Sequence, residues 1–564
     1  MKFNEYVYLR PDFDTIKAGA LELYEKFAQA ENVDEQVELI KQFNVDRFNV
    51  MTANVLCSIR HSINTKDEFY ETENNYWDQQ GPLYEELTVN FYKTLLASPF
   101  IEELKAQMPQ AFFKIVEFSL KSFDPKIIGD LQEENRLSSE YQKLIASAQI
   151  EFDGKVYTLP QLTPLTQSVD RDIRKRATDA RWGFFEKNEA KIDEIYHNLV
   201  QLRDNIAKKL GYNNFIELGY IRMMRLDYNA DMVNVFRRQV LSDIVPVSKK
   251  LFKRQQERLG LDQLLHYDLS FEFTSGNAKP IGDPDFIVDN GRKMYHELSK
   301  ETADFIDFML DRELVDLVSK PGKAGGGYCT YIADYQSPFI FSNFNGTSGD
   351  IDVLTHEAGH AFQVFSSRHI EVPECMWPTM ESAEIHSMSM EFFTWPWMES
   401  FFGDQAQKYR YSHLGGAIKF IPYGVLVDHF QHEVYAHPDM TPDQRKATWR
   451  TLQRQYLPHI DYQESEFLEK GTYWFQQAHI FQMPFYYIDY TLAQICALQF
   501  FKRIQDKDET AWKDYHHLCT LGGTMSFTGL VKAANLKSPF EEGCVSSVIT
   551  TIDQWLEGVD DKAL

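Results

Sequence analysis

His356 and His360 stand four residues apart, and this spacing constrains its segment more tightly than any other feature of the 564-residue chain. On an α-helix, positions i and i+4 are separated by about 40° around the axis, so both imidazoles leave one face and can share a cation. Glu357 falls roughly 60° from His360 on the same side, too far round for a natural third ligand but within reach of a water on a shared metal. This is the arrangement of zinc-dependent hydrolysis, in which two histidines bind and the glutamate takes a proton from the attacking water. With 16 histidines in the sequence, a His-Glu-x-x-His pattern arises by chance roughly 0.03 times in a chain of this length. The competing reading is an ordinary helix with two incidental histidines.

The flanking residues favour a helix. Ser348-Gly349-Asp350 offers a cap and a first-turn acid before Ile351, and Val353, Leu354, Ala361, Val364 and Phe365 offer apolar anchors. The other His-Glu pairs do not compete. His432-Glu433 is followed by a histidine at the wrong spacing, His437, and His296-Glu297 has no second histidine nearby. His429 and His432 could meet on one face, but they read as surface or packing residues.

A catalytic zinc needs a third protein ligand and an open position. Residues 380–393 read as a second helix that stops before Pro396, with Glu384 and Glu391 two turns apart on one face among apolar neighbours. Buried carboxylates are costly unless paired or bound to metal. One can therefore ligate while the other holds a ligating histidine from behind. Spacing does not decide which, and two glutamates on a solvated face remain the alternative.

Elsewhere, apolar residues recur at three- and four-residue intervals, which predicts a mainly helical protein. Clear stripes cover residues 16–29, 33–43, 84–96 and 187–210, the last carrying Ile192, Ile195, Leu199, Leu202 and Ile206 and ending at Gly211. Two segments break the pattern. Residues 150–159 alternate around Asp153-Gly154, which predicts a β-hairpin with a primed turn. Gly325-Gly326-Gly327 then precedes a β-rich run over 328–344, and the glycines serve either close backbone approach or a plain loop. A working division places an N-terminal helical region at 1–185 and a catalytic region at 186–564.

The formal net charge of -25 repels phosphate backbones and argues against nucleic acid as a partner. Residues 1–8 lack the apolar core of a secretory signal, and no stretch reaches the ~18 apolar residues of a membrane span. The six cysteines show no CxxC pair, a pattern of reduced thiols in a cytoplasmic protein.

His356-Glu357-Ala358-Gly359-His360 combines with Glu384-Ile385-His386-Ser387-Met388-Ser389-Met390-Glu391, the glycine run before Tyr328-Cys329, and Phe485-Tyr486-Tyr487-Ile488-Asp489-Tyr490. In this combination the chain resembles the oligoendopeptidase F and thimet oligopeptidase family of zinc metallopeptidases. It is most similar to the short bacterial oligoendopeptidases, among them the Pz-peptidases that trim collagen-derived peptides. The resemblance covers most of the chain after about residue 190. It implies that Glu384 is the third zinc ligand, with one Zn2+ per chain, and makes Glu391 the residue that supports a ligating histidine. It also implies that Tyr487, Tyr490 and the upstream His479 lie near the substrate carbonyl. One departure stands out. Thimet-type enzymes carry a glycine-rich loop around this histidine, whereas this chain reads Gln482-Met483-Pro484-Phe485.

Read from the residues alone, the tyrosines are either hydrogen-bond donors to an oxyanion or an aromatic core stripe. Phe339-Ile340-Phe341-Ser342-Asn343-Phe344, just before the metal helix, is a candidate edge strand for pairing with an extended peptide.

The expected fold is mainly α and zincin-like, with a small β-sheet beside the metal-binding helix. The resemblance adds a helical ellipsoid around a deep central channel. The expected function is zinc-dependent endopeptidase action on short, unfolded oligopeptides, with Glu357 as general base. The alternatives are a zinc exopeptidase (a carboxypeptidase or dipeptidyl carboxypeptidase), a non-catalytic zinc-containing peptide-binding protein, and another metal hydrolase acting on amides or esters.

Overall fold

The computed structural model describes every residue except Pro321, Gly325 and Glu464, and leaves the side chains of Asp78, Pro82, Ala146 and Pro160 undescribed as well. It is mainly helical, with one two-stranded and one three-stranded sheet among the described residues, as a zincin-like fold requires.

Local chemistry sets the helix starts. Asp12 accepts from the Asp14 amide at the head of the helix Phe13–Gln29, and Asn32 accepts from the Glu35 amide at the head of Val33–Ile63. Asp67 does the same for Phe69 and Tyr70 in Glu68–Leu96. Two of these helices outrun the apolar stripes that predict them. The extra turns are held by a second cluster of Ala53, Cys57, Trp77 and Tyr84, which the 3.6-residue period alone does not reveal. The stretch 187–210 is interrupted at Asn188, which separates Arg171–Lys187 from Glu189–Lys209. Most of its stripe is buried as the pattern predicts, with Ile192, Ile195, Leu199 and Ile206 all at 0% exposure and Leu202 half-buried. Gly211 ends it at φ +93°, a left-handed conformation that favours glycine.

The predicted hairpin forms from β1 (Ile150–Phe152) and β2 (Lys155–Tyr157), antiparallel. Asp153 and Gly154, at φ +47° and +76°, make the primed turn that matches the strand twist. The larger sheet contains β3 (Val315–Val318), β4 (Tyr328–Ile332) and β5 (Ser337–Phe344) in the order β3-β5-β4. β5 runs parallel to β3 and antiparallel to β4, with Tyr328 opposite Phe341 and Ile332 opposite Ser337. This corrects one expectation. The strand containing Phe339 to Phe344 is central, paired on both sides, so it has no free edge to offer a peptide, and β4 is an outer strand instead. The first residue of the glycine run, Gly325, lies outside the described residues.

Contacts group the chain into two compact units that each use three segments. The first comprises Met1–Leu120, Lys279–Ala406 and Cys496–Lys537. Its core gathers Phe27, Ile40, Phe43, Phe91 and Leu95 from the N-terminal helices with Tyr331, Val364, Cys375 and Met376. The second comprises Lys121–Ala278, Gln407–Ile495 and Ser538–Leu564. Its interior pairs Arg203 with Glu134 and Arg174 with Asp268, because a buried cation needs a partner. Among the described residues no helix is long and apolar enough to cross a membrane.

A candidate metal centre

The first unit carries the helix Gly349–Ser366, on which His356, Glu357 and His360 share one side. Its start differs from expectation. The Ser348 side chain makes no capping bond. The Asp350 carboxylate instead accepts from the Asn345 and Gly346 amides at 2.8 and 2.7 Å, tying the end of β5 to the helix that follows. Asp350 keeps its expected place in the first turn and, being buried, uses its carboxylate on two loop amides.

The second helix, Met380–Phe393, is buried almost all round, from Glu381 through Met390. Such a helix has no solvated face, which removes the alternative for Glu384. It approaches the metal helix at Gly359, where a Cβ would come within 2.6 Å of Ser387 Cα and 2.7 Å of the His386 carbonyl oxygen. The backbones meet there because glycine has no side chain. The buried Tyr515 hydroxyl donates to the same His386 carbonyl at 2.9 Å and fixes the helix from its other side.

This packing brings His356, His360 and Glu384 together, one donor atom from each lying within 4.8 Å of the others. Glu384 Oε2 is 3.3 Å from His356 Nε2 and 3.7 Å from His360 Nε2. His356 Nδ1 lies 2.6 Å from Glu391 Oε1. If Nδ1 carries the proton, Nε2 keeps its lone pair for the cluster. Ser387 donates to Glu384 Oε2 at 3.1 Å, a contact that sequence reasoning missed although its i+3 spacing was visible. Two nitrogens and one carboxylate oxygen at this separation fit a catalytic zinc, which takes three protein ligands and leaves a position open.

Electrostatics follow from burial. Burial pushes the Glu357 carboxyl up to about 7, helped by Glu384 and Glu391 and opposed by His356. Burial pulls His360 down to about 4, so the ring is neutral and able to ligate. For Glu384, burial pushes upward, but the hydrogen bond to His356, with the neighbouring His360 and Ser387, brings it below the usual carboxylate range. A Cβ on Gly327, just before β4, would sit 3.9 Å from Glu357 Oε1, so the start of that strand passes beside this carboxylate.

His479, Tyr487 and Tyr490 belong to the second unit. Their rings cluster, with His479 5.0 Å from Tyr487 and 6.3 Å from Tyr490, and the two tyrosines 5.7 Å apart. Gln477 Nε2 donates to His479 Nδ1 at 2.7 Å. Burial raises the Tyr487 hydroxyl well above its ordinary value, so it stays protonated and can donate. Burial lowers His479.

Residues 3–123 match the peptidase M3 N-terminal domain, and residues 164–280 and 288–548 match peptidase family M3. Among solved structures, a protein provisionally named oligoendopeptidase F is 54% identical over 100% of both chains, with a TM-score of 0.92. Pz peptidase A, solved with an inhibitor, is 53% identical over 100% of both chains, also at 0.92. A protein from Bacillus anthracis, provisionally named oligoendopeptidase F, is 52% identical over 100% of this chain and 99% of that one, at 0.88. No curated protein matches the chain. The matched segments span well over half of its length, and the chain is a metallopeptidase that belongs to peptidase family M3.

Proposed function

We propose that the chain is a zinc endopeptidase that hydrolyses internal bonds of short, unfolded oligopeptides. The observation that carries this reading is the convergence of His356, His360 and Glu384 on one metal-sized site with the raised carboxyl of Glu357 on the same helix. His356, His360 and Glu384 would hold one zinc. A bound zinc supplies Lewis-acid polarisation of the scissile carbonyl and lowers the pKa of water. Glu357 takes a proton from the water that adds to the carbonyl carbon, then delivers it to the departing amine nitrogen as the C–N bond breaks. Glu391 and Ser387 hold His356 and Glu384 in place during these transfers.

The same proposal assigns Tyr487, Tyr490 and His479 as hydrogen-bond donors to the developing oxyanion. The family resemblance and the clustering of the three rings support it. It also assigns β4 as the strand whose backbone pairs with an extended peptide, supported by the approach of Gly327 to Glu357. The relatives named as oligoendopeptidases favour internal cleavage. The cysteine pattern favours a reducing compartment, the cytoplasm, as the place of action.

Digestion of a peptide library blocked at both ends, with and without chelator, tests the reading by product masses. Internal cuts that vanish with chelator and return with zinc are expected. An intact blocked library beside an unblocked one trimmed only from its C-termini would replace the proposal with a carboxypeptidase or dipeptidyl carboxypeptidase. Cleavage indifferent to chelator would overturn it.

A further inference from the structure

The segment of residues 482–487 is pinned from several sides within the second unit. Phe485 adopts φ +70°, a left-handed conformation rare for an aromatic residue, and is fully buried. Its amide donates to Gln431 Oε1 at 3.1 Å, and its carbonyl accepts from Arg225 Nη2 at 2.9 Å. Arg225 also pairs with Asp489, in the first turn of the helix Ile488–Gln505, and both partners are buried. The Phe485 ring enters a slot opened by a missing side chain, since a Cβ on Gly219 would come within 2.6 Å of Phe485 Cδ2. His432, Tyr435 and Tyr220 close the slot, with ring centroids 4.9, 5.5 and 5.6 Å away. His432 is itself held by Tyr220 at 3.0 Å and by Asp428 at 3.2 Å.

Tyr487 directly precedes the helix and Tyr490 lies in its first turn. A backbone fixed at Phe485 and a side chain anchored at Asp489 therefore flank Tyr487, and Tyr490 follows the second anchor directly. We infer that Phe485 is a positioning residue: locked into the Gly219 slot and bonded through both backbone groups, it sets the directions of the Tyr487 and Tyr490 hydroxyls. The inference rests on the oxyanion role proposed for those tyrosines. The turn is held rigidly, so donor placement is built in before substrate arrives.

The test is a kinetic cycle on the zinc-loaded enzyme with an internally quenched peptide. Phe485→Gly keeps the left-handed backbone accessible while removing the ring. Gly219→Ala keeps the ring and fills its slot, and it provides the second route if Phe485→Gly does not fold. Either change is expected to lower kcat about 10- to 100-fold, as ångström-scale misplacement of a donor does, while zinc content stays complete and KM moves little. In a Tyr487→Phe/Tyr490→Phe background the same changes should cost less than about twofold, because neither tyrosine hydroxyl is left to misplace. An undiminished loss in that background, or no loss in the parent, overturns the inference. If the double tyrosine variant itself keeps full kcat, the oxyanion reading fails first and the inference falls with it.

Discussion

The Nδ1 atom of His356 lies 2.6 Å from Oε1 of Glu391, while Nε2 of the same ring lies 3.3 Å from Glu384. One imidazole is thus gripped by two glutamates seven residues apart on the neighbouring helix. Glu384 meets the ring edge that faces the candidate metal, and Glu391 meets the other. Glu391→Gln should leave the fold intact and weaken zinc binding about 10- to 100-fold, the usual cost of losing such support. Competition against a chromophoric chelator measures it, and unchanged affinity would assign Glu391 to packing alone.

Glu357→Gln preserves shape and removes the proton acceptor. The expected result is a kcat lower by about 10²- to 10⁴-fold with one zinc still bound per chain. Metal analysis and peptide turnover on the same preparation decide it. Near-normal turnover in the metal-replete variant rules Glu357 out as the base.

Gly359→Ala introduces a Cβ where only 2.6 Å separates it from Ser387 Cα. The two helices must separate, at a cost of about 1–3 kcal/mol by analogy with other overpacked cores. Because Glu384 and the histidines sit on opposite sides of this contact, zinc should stabilise the variant less than the parent. Melting temperatures with and without added zinc provide the comparison, and an equal zinc-induced shift would separate helix spacing from metal binding.

Stability should fall as the medium becomes acidic, through two half-buried histidines of the second unit. Burial holds His459, stacked 3.6 Å from Phe252 and near Lys419, down to about 3. Burial with nearby Arg237 holds His429 down to about 4. In the unfolded chain both protonate near the ordinary value of about 6.5. Below that pH the unfolded state therefore binds more protons, and stability decreases until the folded-state values are reached. At pH 5 the loss is at most about 2 kcal/mol per histidine, less for rings that keep some solvent contact. His459→Phe keeps the stack and removes the proton site. Its melting temperature should vary less between pH 6.5 and 4 than the parent's, and an unchanged slope would refute the assignment.

Features governed by neighbours in the chain were legible in the sequence. Backbone geometry over four residues puts His356 and His360 on one face, and over seven residues it aligns Glu384 with Glu391. The Asp153-Gly154 turn and the helix end at Gly211 follow from the left-handed conformations those residues tolerate. The helices Val33–Ile63 and Glu68–Leu96 were read too short because distant packing, not their own period, holds their extra turns. Ser348 was a sound cap by type, yet the structure uses Asp350 on a loop that sequence spacing does not locate.

Sequence by itself therefore determined which residues could bind a metal and activate water, since that depends on helical periodicity and donor chemistry. Tertiary structure decided which of them meet. Glu384 reaches the histidines because Gly359 lets two backbones approach, and Glu391 reaches His356 from the same packing. It also decided that β5 is central and β4 is outer, and that Phe485 is clamped between Gln431 and Arg225. Each of these depends on atoms brought together from far apart in the chain, and no local pattern encodes such a distance.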